Sequence, residues 1–278
     1  MYEYTDLNIK DHSFFNTLEN IKCFHESVSY NLFGIKTNGI EGFVNIHSEI
    51  SKYLALQLES INRIISIGNL GDSFTILRKY EDLTLISVYM CIKEDNENFA
   101  DRKIEDWPWI IDELNNWASN EKDYKMKSFE LINKIIRESQ IGDLLNLIES
   151  KNDYITLRNN TGNRYTHFNQ FRTVHSLRGI DLLTIDKILN QIEYVLTHYF
   201  IRYFALLANI REDFFRSSDY IDYLDAGLTP PDEALYWVSP FANDLLNDVV
   251  FKHRPDIGQY IVDNSQMQWE LLKETQNK

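Results

Sequence analysis

Apolar residues recur at every third or fourth position over most of this chain, the period at which one face of an α-helix is buried. Ile46, Ile50, Tyr53, Leu54, Leu58, Ile61 and Ile65 predict a helix from about Glu41 to Ile67, which Gly68-Asn69 then breaks. Asp72 or Ser73 can cap a second helix running to about Lys93. After the polar stretch Glu94 to Asn98, Asp106 and Pro108 mark the start of a helix carrying Trp109, Ile110, Leu114 and Trp117. Further helices are expected over about Lys127–Glu138, Ile141–Ser150 and Asn163–Leu177. The longest signal runs from about Leu183 to Phe215. Its apolar positions, among them Ile185, Leu189, Ile192, Leu196, Tyr199 and Tyr203, step by threes and fours. At ~1.5 Å per residue it would be about 45 Å long, enough for the spine of a bundle. Thr229-Pro230-Pro231-Asp232 reads as a helix start, with a capping hydroxyl, a proline in the first turn and an acid facing the positive helix end. Leu235 to Phe251 is helical by period, and Pro255 begins a short helix through Ile261. Residues 1–37 are mixed and show no clear period.

These elements predict an all-α fold: an antiparallel helical bundle with short connections and a C-terminal helical extension. Ten glycines and five prolines in 278 residues fall well under the usual share of roughly 12%, which favours long helices over sheet and turn. The expected organisation is an N-terminal segment 1–37, a main bundle 38–216 and a C-terminal helical cap 217–278. No linker is long enough to force the boundary near 217, so a single domain is the alternative. Ile192, Val195, Leu196 and Tyr199 are expected in the core.

Acidic residues outnumber basic ones 42 to 28, a net charge of −14. Such a surface repels phosphate backbones and anionic membranes at long range, so no DNA or membrane partner is expected. Cys23 and Cys91 form no paired motif, which argues against a disulfide framework and a cysteine zinc site and suits a reducing cytoplasm. The N-terminus lacks the basic and apolar regions of a signal peptide. The most apolar stretch, Tyr199 to Ala208, contains Arg202 and is too short to span a bilayer. A cytoplasmic protein is expected.

Little of the sequence has the spacing of known chemistry. None of the seven histidines makes an i, i+4 pair, and His167 and His175 are eight apart, so neither a metal nor another cofactor is expected. Asp219, Asp222 and Asp225 repeat every three residues. A magnesium site could be built that way, but such a row is far more often a solvated face. Gly68 to Gly71 is too short for a phosphate cradle, and no Gly-x-Ser-x-Gly elbow occurs. On the second helix Glu81 falls among Phe74, Leu85 and Val88, with Arg78 one turn back. A charge on an apolar face needs a partner, and an Arg78–Glu81 pair pinning the bundle outweighs a site between helices. The segment Leu157 to Phe171 is the most informative. A helix starting near Asn163 places Asn163 and His167 on one face, within reach of Arg158 or Arg164. A histidine beside an amide and an arginine can move a proton next to a phosphate; a hydrogen-bonded core histidine is the simpler alternative.

That layout resembles the HEPN superfamily of helical bundles, common in bacterial toxin–antitoxin, abortive-infection and CRISPR-linked proteins. Its signature is an arginine, usually followed by asparagine, then three variable residues and a histidine. Asn163 and His167 match the last two elements, and Gly162 stands where the arginine belongs, with Arg158 one turn earlier and Arg164 two residues later. Leu77-Arg78-Lys79-Tyr80-Glu81 also resembles the arginine–glutamate helix of such proteins. The resemblance covers about residues 40–210. It implies a binding or regulatory module of a bacterial defence or toxin–antitoxin-type system, binding a protein or nucleotide, with a protein partner or homodimer expected and RNA possible. Its alternative implication is a metal-independent endoribonuclease with His167 as acid–base, Asn163 and Arg164 beside it, and a cyclic phosphate product. The missing arginine and the −14 charge favour the first. A structural subunit of a larger complex is a third reading.

Overall fold

In a computed structural model of the chain, residues 11–35, 46–95, 128–150 and 182–271 are described. Their helices are α1 (Ser13–Ile35), α2 (Ile46–Ser66), α3 (Leu70–Asp95), α4 (Phe129–Glu138), α5 (Gly142–Ser150), α6 (Leu182–Ile210), α7 (Asp219–Asp225), α8 (Pro240–Leu245) and α9 (Pro255–Asn264). No strand occurs among the described residues; Arg216 with Val238 and Trp237 with Gln268 make isolated bridges. The expected helix near Pro108 and that over 163–177 lie outside the described residues.

The four long helices form a ring in which α1 packs on α2, α2 on α3, α3 on α6, and α6 closes back on α1. The period explains why. On α1, Phe14, Leu18, Ile21, Phe24, Val28 and Leu32 are buried at steps of three and four. The expected core residues of α6, Ile192, Val195, Leu196 and Tyr199, are likewise buried. Gly68 supplies the positive φ of 81° that ends α2. Asn69 N–H reaches Ile64 O and Gly68 N–H reaches Ile65 O, closing a Schellman turn into α3.

Four expected features differ in detail. Leu183 to Phe215 is not one helix: α6 stops at Ile210, and Glu212–Phe215 is a 3-10 turn. The break is at Arg211, whose guanidinium turns back to grip Asp213 through Nε and Nη2 at 2.8 and 2.9 Å. Thr229 does not cap a helix; the turn Asp232–Tyr236 is 3-10, with Pro231 at its cap position and no side-chain cap bond. Leu235 to Phe251 is split as well. Trp237 to Ser239 is extended before Pro240, as the residue preceding a proline prefers, and Leu246–Phe251 is wound as a π-helix. Asp72 and Ser73 lie inside α3, which begins at Leu70.

The segment after residue 217 lies on the bundle, α8 against α1 and α9 against α5 and α6. Phe24, Phe200, Phe204, Phe215, Phe241 and Trp269 share one aromatic cluster. Arg254, at the start of α9, donates to Ile148 O at 2.9 Å and Leu147 O at 3.0 Å. Its charge thus sits at the negative end of α5.

Candidate functional site

Of the residues singled out from the sequence, Arg158, Asn163, Arg164 and His167 lie outside the described residues, as does Gly162. Arg78 and Glu81 are described, and α3 brings them together. Glu81 is 1% exposed. Arg78 Nη1 donates to Glu81 and, one residue further, to Asp82. The Arg78 guanidinium carbon also lies 4.8 Å from the centre of the Phe129 ring at the start of α4. So the arginine is neutralised by two carboxylates of its own helix and covered by an aromatic face. Removing it would take a charged partner from a carboxylate that is 1% exposed, the costly way to break a buried pair.

A second polar group joins three helix ends, and nothing in the sequence spacing pointed to it. His47, in the first turn of α2, approaches Glu94 in the last turn of α3 with Nε2 2.9 Å from Oε1. Its Nδ1 lies 3.8 Å from the Cys91 sulfur. Arg211 Nη1 donates to the other Glu94 oxygen at 2.6 Å and stacks 4.3 Å over the Phe214 ring. Burial works against a charged imidazole, but the Cys91 sulfur and the Glu94 carboxylate outweigh it and raise the His47 pKa to about 9. The order thiol, imidazole, carboxylate is that of an activated nucleophile. Cys91 and His47 are buried, however, at 0% and 4% exposure. As it stands the group is a clamp on the ends of α2, α3 and α6.

A third group is internal to the ring of helices. His25 Nε2 lies 2.8 Å from the Tyr80 hydroxyl, and its ring packs against Tyr203, whose hydroxyl lies 3.2 Å from Ser87 Oγ. Burial drops the His25 pKa to about 3, so the ring is neutral in ordinary buffers.

An open groove of about 650 Å³ lies between α1 and α2, with Glu26, Tyr30, Glu49, Lys52 and Leu56 among its lining. The close approach of the two helices at its floor comes from small side chains: Ser48 Oγ donates to Ser29 O at 2.8 Å. Neither Cys91 nor Arg78 lines it.

Asp219, Asp222 and Asp225 lie exposed on α7, two of them accepting from Ser217 and Ser218 hydroxyls. No cluster of three or more potential metal-ligating His, Cys, Asp or Glu side chains occurs among the described residues. No helix among them is long and apolar enough to cross a membrane. Both thiols are free, Cys23 exposed and Cys91 buried. No protein-family model matches the chain, and neither a curated protein nor a solved structure matches it.

Proposed function

We propose that this chain is a helical binding or regulatory module, similar to HEPN proteins in architecture, that acts through a protein partner or a second copy of itself and not by cutting RNA. The observation that carries this reading is the fate of Arg78. The arginine of the arginine–glutamate helix is consumed within α3 by Glu81 and Asp82 and covered by Phe129. A cation so engaged is a poor anchor for a scissile phosphate, and the position where the signature carries its arginine is Gly162. The net charge of −14 adds long-range repulsion of RNA. A defence or toxin–antitoxin setting is the context in which such modules occur. The test is incubation of purified protein with single-stranded RNA in EDTA, in which the RNA should stay intact. Cleavage under those conditions would replace this reading with the endoribonuclease one.

A further inference from the structure

The outward side of α2 carries a stripe open to solvent. Glu49, Lys52, Leu56, Glu59 and Arg63 follow one another at steps of three, four, three and four, so they share one side of the helix. All are exposed except Glu59, which is half-buried. Leu56, at the centre, is apolar and yet 54% exposed. From Glu49 to Arg63 the stripe runs about 21 Å, at ~1.5 Å per residue. Its first four residues line the open groove between α1 and α2, and Tyr30 of α1, 79% exposed, lines it from the other side. The small residues Ser29, Ser48 and Ala55 between them leave room for side chains of another helix.

The charges of the stripe run minus, plus, minus, plus around Leu56, and reversing that order changes every sign. An antiparallel copy centred on Leu56 therefore sets Glu49, seven residues before the centre, against Arg63, seven after it. It sets Lys52, four before, against Glu59, three after. Leu56 meets its counterpart on the axis, and a two-fold repeats each charged contact. The chain as a whole carries −14, whereas this stripe is balanced and adds nothing to the repulsion between copies. Glu49 and Lys52 make no ion pair among the described residues. Arg63 Nε donates to Glu59 at 2.9 Å, and Glu59 also lies 3.7 Å from Lys22. An exposed i, i+4 pair of this kind contributes little, and it leaves both Nη groups of Arg63 for a carboxylate of a second copy.

We propose that the α1–α2 groove is the interface of an antiparallel homodimer, in which two α2 helices pack about a two-fold axis at Leu56. Ser29 Oγ is 3.0 Å from Ser48 Oγ, which puts Tyr30 at the Glu49 end of the groove. There it offers an aromatic face to Arg63 of the second copy. The proposal rests on the reading of the chain as a module that acts through a partner, and it names that partner as a second copy. Either can fail alone: RNA cleavage would leave the dimer standing, and a monomer would leave the RNA intact.

Sedimentation equilibrium of the full chain tests it. The unaltered protein should pass from monomer to dimer between about 1 and 100 μM. Leu56→Arg, which sets two like charges on the axis, should weaken association about tenfold or more. Glu49→Arg and Arg63→Glu should each do the same alone. An equimolar mixture of those two should regain the dimer, because every arginine then faces a glutamate, and the double variant should regain it too. The three positions are exposed, so the fold should survive, and a folding defect would not be mended by mixing. An unaltered protein that stays monomeric at about 100 μM would overturn the proposal and leave the face to a different protein. A dimer indifferent to Leu56→Arg would overturn it as well, as would a mixture that associates no better than its components.

Discussion

His47 Nε2 sits 2.9 Å from a carboxylate oxygen of Glu94, linking the first turn of α2 to the last turn of α3. Cys91 faces the other ring nitrogen, and Arg211 holds the second Glu94 oxygen. The folded pKa of His47 is raised from 6.5 to about 9. Its contribution to stability is therefore fully present below pH 6.5 and is lost as pH rises through about 9, at a rate of about 1.4 kcal/mol per pH unit. Melting curves at pH 7 and pH 10 should show the unaltered protein losing most of its advantage over His47→Gln at the higher pH. An unchanged gap would show that the ring is not charged in the fold.

His25 predicts sensitivity at the other end of the scale. Its folded pKa is lowered to about 3 by burial, so the neutral ring stabilises the fold above pH 6.5 and the contribution drains away as pH falls toward 3. The groups facing it are Tyr80, Tyr203 and the Phe24 and Phe200 rings, none of which titrates in that window. His25→Gln, which can still bond Tyr80 but cannot take up a proton there, should flatten the acid limb between pH 6 and pH 4. If both proteins unfold along the same acid curve, His25 is not the group responsible.

Two substitutions probe the packing. A Cβ on Gly142 would stand 2.1 Å from the Arg137 carbonyl oxygen, so Gly142→Ala must part α4 from α5 and should cost about 2 kcal/mol or more. Leu196, fully buried at the middle of α6, should cost about 2–5 kcal/mol when cut to alanine. Urea denaturation measures both. A loss under about 0.5 kcal/mol at Leu196 would mean that this face of α6 is not core.

The parts of the fold that were legible in the sequence are those in which one helix face alone is buried. In α2 Ile50, Leu54, Leu58, Ile61 and Ile65 are buried in step with the period, although Tyr53, expected on the same face, is 56% exposed. Helix α1 was missed although Phe14, Leu18, Ile21, Phe24, Val28 and Leu32 keep the helical step; the fully buried His25 beside Phe24 and the 79% exposed Tyr30 dilute the contrast between its faces. The breaks at Arg211 and before Pro240 combine local causes, the Arg211–Asp213 pair and the proline itself, with contacts made at a distance: Arg211 with Glu94, and Ser239 N–H with Phe215 O. Residue spacing carries no trace of such contacts. The same holds for the candidate sites. The Arg78–Glu81 pair could be read because both residues lie one turn apart on a single helix. The group of His47, Cys91, Glu94 and Arg211 spans three helix ends and exists only after folding.

The central claim is that this is a binding module whose signature histidine does no chemistry. Single-stranded RNA incubated in EDTA with the unaltered protein, beside His167→Ala, tests it most directly, with cyclic phosphate ends as the readout. The account predicts intact RNA in both samples. Cleavage by the unaltered protein that disappears in a folded His167→Ala protein would contradict it.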